Sequence, residues 1–234
     1  LPQKAPKELK ITSSWYKYFK AETVLEFFMW SRGKDGFCIL GENFEIRVSK
    51  RPVDLSFSLI QTHGARVVIY KGQAKDFGDG VITDKMGTVL GVKTADCFPI
   101  FLVSRTAVGV LHAGWRGSVR GIALEGLTVM YENFGIKPEE ILVIFGPGIC
   151  GKCYEVGKDV AELFGDFAKP KGNGKYLLDL YGYNRKIFEN YGVKFIIPPP
   201  ACTYEDPTLF SHRRGDKDRL YNTVKMTGYV SGII

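Results

Sequence analysis

Two imidazoles and one thiol are the groups in this chain best suited to hold a metal or attack a carbon. They lie in three short segments: Gln61-Thr62-His63-Gly64, Thr94-Ala95-Asp96-Cys97-Phe98-Pro99, and His112-Ala113-Gly114-Trp115-Arg116-Gly117. Each follows an apolar run that reads as a strand, and small residues flank the reactive side chain. Rigid strand ends are where functional side chains are commonly presented. His63, Cys97 and His112 form a sensible ligand set for an open zinc site, with three protein ligands and a fourth position for water or substrate. Thiolate and imidazole suit zinc better than the oxygen-seeking magnesium or calcium. Thirty-four residues separate His63 from Cys97, and fifteen separate Cys97 from His112. That is no local finger, so the ligands must converge from separate strands. The same residues also fit a cysteine nucleophile, Cys97, with His112 or His63 as its base and Asp96 or Asp79 orienting that base.

The elements that would position them follow from apolar spacing. Runs at 55–61, 66–70, 88–93, 99–103 and 107–111 are rich in Val, Ile, Leu and Phe, with Gly or Asp turns between them, and read as strands. The period then changes. Val119, Ile122, Ala123, Leu127, Met130, Tyr131 and Phe134 predict an amphipathic helix over 118–134, N-capped by Ser118 and ended by Gly135. A strand is expected at 141–145, a helix at 157–164, a turn at Gly172-Asn173-Gly174, a helix at 183–191 and a strand at 193–197. Pro198-Pro199-Pro200 stops regular structure. A short strand is placed at 24–30, and residues 1–20 read as a loosely attached start to one domain spanning 1–234. This order gives an α+β or mixed α/β fold.

Composition sets outer bounds. The chain has 234 residues, 45% hydrophobic and 24% charged, with 32 Lys and Arg against 25 Asp and Glu. The net charge of +7 suits anionic ligands from phosphate to nucleic acid, but the charges are scattered. A nucleic-acid-binding module would fit the basic pI near 9.1, yet no such motif is present. No apolar stretch approaches the ~18 residues of a membrane span. Leu1-Pro2-Gln3-Lys4 carries no signal-peptide core, and the five Cys read as reduced cytoplasmic thiols rather than a disulfide framework. Cys150-Gly151-Lys152-Cys153 has the spacing of a redox dithiol or half a zinc site, but Cys38 and Cys202 stand isolated in sequence, so the pair reads as a structural loop.

The three segments resemble the signature of the YfiH family, also known as DUF152 or the polyphenol oxidoreductase laccase-like family: Gln-x-His-Gly, then Ala-Asp-Cys-x-Pro, then His-Ala-Gly-Trp-Arg-Gly. Asp79 and Thr83, Gly146-Pro147, Tyr154-Glu155-Val156-Gly157, Leu178-Asp179-Leu180, Asn184 and Phe210-Ser211-His212-Arg213-Arg214 extend the match over about residues 55–220. Ser31-Arg32-Gly33 matches the family's Arg-Gly-Gly turn only loosely. The resemblance implies a single α+β domain of two packed mixed sheets flanked by helices. It implies one zinc per chain on His63, Cys97 and His112. It implies phosphorolysis of adenosine, inosine, guanosine or methylthioadenosine, plus adenosine deamination, in a monomer or homodimer. Zinc is expected rather than copper, because multicopper phenol oxidation needs several His-rich clusters and the chain has three His.

Phosphorolysis needs a held phosphate. The start of the 118–134 helix offers free N–H groups. Arg116, beside His112, is the first candidate ligand for that anion, because Arg can bind phosphate bidentately. Arg213, Arg214 and Arg219 form a second cluster. Asp96 or Asp79 could move protons, and Asp96, next to Cys97, is preferred.

Overall fold

A computed structural model describes residues 29–227. The expected loose start over 1–20, and all but the last two residues of the strand placed at 24–30, lie outside the described residues. Met29 and Trp30 are not in a strand.

The first half is built of short strands, as expected: β1 (Ser31–Gly33), β2 (Gly36–Leu40), β3 (Phe44–Ser49), β4 (Ser58–Ile60), β5 (Val67–Ile69), β6 (Lys75–Phe77), β7 (Gly80–Thr83), β8 (Val89–Thr94), β9 (Phe98–Val103) and β10 (Val108–Ala113). Helices α1 (Trp115–Val119) and α2 (Ile122–Phe134) follow, then β11 (Leu142–Phe145), β12 (Glu155–Gly157) and the single turn α3 (Lys158–Ala161). The chain continues through β13 (Ala168–Gly172), β14 (Lys175–Leu178), α4 (Leu180–Asn190), β15 (Phe195–Ile197) and β16 (Leu220–Met226).

Two large sheets carry the fold. One is antiparallel throughout, in the order β1-β2-β3-β16-β8. The other, β15-β11-β9-β10-β7-β5, is mixed, with parallel pairs at both edges. Small sheets β12-β14-β13 and β4-β6 complete the set. The expected α+β domain of packed sheets is therefore present, with one of its two main sheets purely antiparallel.

Alternation along β9 explains the layering. Phe101 and Val103 face a core shared with Ile46, Leu90 and Val224 of the antiparallel sheet. Phe98, Ile100 and Leu102 face the opposite way, onto Ile122, Leu127 and Met130 of α2 and Phe188 of α4. A strand buried on both faces must read as a continuous apolar run, which is what 98–103 does. The mixed sheet is thus a middle layer, and side chains at its ends are held by packing on both sides.

The 118–134 periodicity resolves into two helices. Arg120 closes α1, Gly121 takes a left-handed φ of 88°, and α2 begins at Ile122. Ser118 is therefore no N-cap. It is buried inside α1, where its hydroxyl accepts a hydrogen bond from Asn184 Nδ2 at 2.9 Å, tying α1 to α4. Gly135 ends α2 at φ 67°, as its position suggested. The helix expected over 157–164 shortens to the four residues of α3.

Candidate active site

The loop–strand corners at one end of the mixed sheet bring the three segments together. His112 is the penultimate residue of β10 and pairs with Pro99 at the start of β9. Cys97 lies immediately before β9, where the chain crosses from the antiparallel sheet to the mixed one through Ala95-Asp96-Cys97. Asp96 makes that corner with a φ of 84°. Asp79 precedes β7, whose Gly80 pairs with Leu111. His63 sits in the loop after β4, itself in the left-handed region at φ 59°. One ligand atom from each of His63, Cys97 and His112 lies within 4.8 Å of the others, and the two imidazoles meet edge-on with ring centroids 4.8 Å apart.

Asp79 organises this set. Its carboxylate is fully buried and accepts five hydrogen bonds. Three come from the backbone N–H groups of Thr62, His63 and Gly64, at 3.1, 2.9 and 2.7 Å. Thr62 Oγ1 and His112 Nδ1 supply the others, at 2.9 and 2.8 Å. A carboxylate can only accept, so Nδ1 of His112 carries the proton and Nε2 is left for a metal or for Cys97. Burial pushes the Asp79 carboxyl up, but these bonds outweigh it and hold it down at about 2. Burial likewise pushes His112 down, while Asp79 and Cys97 lift it to about 9. His63 is lowered, by burial first and by the charge of His112 next, which favours its neutral, ligating form.

Glycines make room for the cluster. A Cβ on Gly114 would stand 2.8 Å from Cys97 Sγ, and one on Gly117 would stand 2.6 Å from the Gly64 carbonyl oxygen. Two nitrogens and one sulfur, converging from three separate segments around this clearance, suit a single ion with an open position. They do not furnish a multi-copper cluster, since the chain has three His and the third, His212, belongs to no such group among the described residues.

The remaining candidate residues divide. The exposed Arg116 lies with its guanidinium 4.3 Å over the Trp115 ring, close enough that its charge acts on both His63 and Tyr154. The five-residue α1 behind it is too short to supply the helix dipole expected there. Arg213 stacks over Tyr154 at 5.3 Å and donates to the Glu155 carbonyl at 2.6 Å. Arg214 corrects an expectation: its guanidinium is spent on the carbonyls of Thr203, Tyr204, Asp206 and Leu209 and on Asp216, so it braces a loop instead of awaiting a phosphate. Arg219 likewise donates to the carbonyls of residues 216–218. Asp96 is also differently engaged from the proton carrier expected. Its oxygens accept from Thr203 Oγ1 and from the Arg213 N–H, each at 2.7 Å, so it anchors the 203 and 213 loops beside Cys97.

Tyr154 has no role in the sequence reading beyond its place in a motif. Burial raises its hydroxyl pKa, with the charge of Cys97 adding to the rise, so the phenol stays protonated as a donor at the rim of the site. A Tyr immediately before Glu155-Val156-Gly157 was the available signal.

Residues 41–231 match the family model described as multi-copper polyphenol oxidoreductase laccase. The chain belongs to that family. Laccase-like relatives include a purine nucleoside phosphorylase of Deinococcus radiodurans, 38% identical over 71% of this chain and 68% of the relative. Another, from Aquifex aeolicus, is 34% identical over 78% of this chain and 92% of its own length. Among solved structures of the laccase-like family, YlmD from Geobacillus stearothermophilus aligns with a TM-score of 0.69 at 28% identity, covering 74% of each chain. Neisseria meningitidis protein NMB0706, a DUF152 member, shares the fold with a TM-score of 0.72 at 23% identity, over 86% of this chain and all of that one.

Proposed function

We propose that this chain is a zinc-dependent purine nucleoside phosphorylase acting on adenosine, inosine, guanosine and methylthioadenosine, with adenosine deamination as a second activity in the same site, in the cytoplasm. The observation that carries the reading is the convergence of His63, Cys97 and His112 around Asp79, in a family whose relatives bear the name purine nucleoside phosphorylase. His63, Cys97 and His112 would hold one zinc per chain at this site, which would supply Lewis-acid polarisation and water activation. Asp79 fixes the His112 tautomer and the turn that carries His63. Arg116 and Arg213 place two cations at the rim, where phosphate can be held for attack on the ribose C1′. The C1′–N bond breaks and the purine leaves with the electron pair, taking up a proton. In deamination, water adds at C6 of the purine and ammonia leaves.

The test is elemental analysis of the purified protein with a nucleoside assay run with and without phosphate. The expected result is phosphate-dependent release of free base and ribose 1-phosphate, lost in Cys97→Ala together with the metal of the His63, Cys97 and His112 set. The Asp79–His112–Cys97 chain also has the order of a cysteine hydrolase relay. Full activity in metal-free protein, abolished by thiol alkylation, would establish that second reading in place of the first.

A further inference from the structure

The Cys150-x-x-Cys153 pair has a third thiol beside it. Cys202, forty-nine residues beyond Cys153, is brought alongside by a parallel bridge between its residue and Gly148, and the Thr203 N–H donates to the Gly148 carbonyl at 3.0 Å. The Sγ atoms of Cys150, Cys153 and Cys202 and a carboxylate oxygen of Glu205 all lie within 4.8 Å of one another. The sequence reading of Cys202 as isolated is thereby corrected.

We infer that Cys150, Cys153, Cys202 and Glu205 form a second metal site, a closed four-ligand centre for zinc. Four donors at Zn–S lengths of ~2.3 Å sit roughly 3.8 Å apart around a tetrahedral ion, a spacing this group can meet with small side-chain adjustments. Three thiolates select zinc over the oxygen-seeking divalent ions. The local backbone is already shaped for it. Both the Cys153 and Tyr154 N–H groups donate to the Cys150 carbonyl at 3.0 Å, folding the pair into a tight knuckle. Gly151 faces Asp179 so closely that a Cβ would meet it at 3.3 Å. The Cys150 N–H donates to Cys202 Sγ at 3.2 Å, a bond that strengthens when the sulfur is a thiolate. A cavity of about 590 Å³, lined in part by Cys150, Lys152 and Glu205, opens onto the group and gives an ion a way in.

This centre is separate from the His63, Cys97 and His112 set, and its chemistry is structural: with all four positions filled by protein, no place remains for substrate. It would clip together two walls of the active site. Cys150 leads into Tyr154, which carries Arg213, and Cys202 leads into Thr203, which holds Asp96.

The test is cobalt reconstitution of protein purified anaerobically, with bound metal counted and the sulfur-to-cobalt charge-transfer absorption read. Wild type should bind two equivalents per chain. Cys97→Ala should keep one, with the intense charge-transfer bands of a multi-thiolate site, and Cys97→Ala/Cys202→Ser should lose those bands. One equivalent in wild type with none in Cys97→Ala, while Cys38, Cys150, Cys153 and Cys202 all titrate as free thiols, would overturn the proposal. So would a Cys150–Cys153 disulfide in the anaerobic protein, found by mass spectrometry. The charge-transfer bands and the free-thiol titration of the wild type decide the question even if the variants fail to fold.

Discussion

The backbone N–H of His63 donates to Asp79 Oδ1 at 2.9 Å, and the same oxygen takes the Nδ1 proton of His112 at 2.8 Å. One buried atom therefore sets both imidazoles. It positions His63 through the main chain of its turn and His112 through its ring. The left-handed φ of His63, uncommon for a residue with a side chain, is held by the ring of N–H groups that closes on this carboxylate.

Replacing Asp79 should thus disturb both ligands at once. Asp79→Asn keeps the size but gives the nest of N–H donors a weaker, neutral acceptor. It also releases the His112 tautomer. We expect metal affinity to fall about 10–100-fold and stability to drop by about 2–4 kcal/mol, the cost of weakening a buried charged network. Metal titration and thermal unfolding of the metal-free protein measure the two separately. Unchanged metal affinity would mean that Asp79 serves the fold alone.

The His112–Asp79 pair also gives the metal-free protein a pH signature. The folded pKa of His112 is raised from 6.5 to about 9, so its contribution to stability is complete below 6.5 and is lost as pH climbs through 9. Asp79 is lowered from 3.8 to about 2, so its contribution is present above 3.8 and is lost as pH falls through 2. Metal at Nε2 must displace the extra proton of His112. Binding near neutral pH should therefore release it, and affinity should rise with pH until about 9. Calorimetry in buffers of different ionisation enthalpy counts the protons. Asp79→Asn should release fewer, and an equal count would reject the assignment.

Gly114 offers a steric test. An added Cβ would stand 2.8 Å from Cys97 Sγ and 4.0 Å from His63 Cδ2. Gly114→Ala should fold, because its N-cap φ of −84° is open to any residue. It should nevertheless bind metal about tenfold or more weakly, as Cys97 is pushed off position. Equal metal content at limiting metal would show that Cys97 has slack the geometry does not suggest.

Arg116→Ala should raise the phosphate KM by about tenfold or more, the loss of a charge-assisted hydrogen bond. Metal content should not change, and deamination, which uses water, should suffer less. Kinetics of adenosine breakdown across a phosphate series separate the two reactions. If phosphate use is unaltered, Arg213, stacked on Tyr154 across the rim, is the next residue to replace.

Much of this fold is legible in the sequence. The strands at 98–103 and 108–113 stand out in the sequence as apolar runs at 99–103 and 107–111, because the middle sheet is buried on both faces. His63, Cys97 and His112 could be picked out by residue type and by their place beside strand ends, and the fold brings them together. Other features could not. Phe44–Ser49 alternates inward and outward as an ordinary half-buried strand, a period-2 signal that no apolar run marks. The apolar period runs straight through Arg120-Gly121, so the break between α1 and α2 is invisible to it. Nothing in the order Arg213-Arg214 tells which guanidinium turns inward, because the carbonyls that capture Arg214 come from the loop at 203–209. Cys202 looked isolated for the same reason: its neighbours are set by a bridge across fifty-four residues, between Gly148 and Cys202.

The position of β16 has a consequence for how the chain is made. It lies between β3 and β8, pairing Val224 with Ile46 on one side and with Leu90 on the other. A growing polypeptide that has emerged as far as the His63, Cys97 and His112 segments therefore exposes two open strand edges and half of an unfilled apolar layer. Edges of that kind invite pairing with other chains, and closing a contact across so long a loop is slow. Release of residues 220–226 from the ribosome is the event that seals the antiparallel sheet and buries Val224 against Phe101 and Leu90. Until then the corner at Ala95-Asp96-Cys97 joins the mixed sheet to one that lacks the strand between β3 and β8.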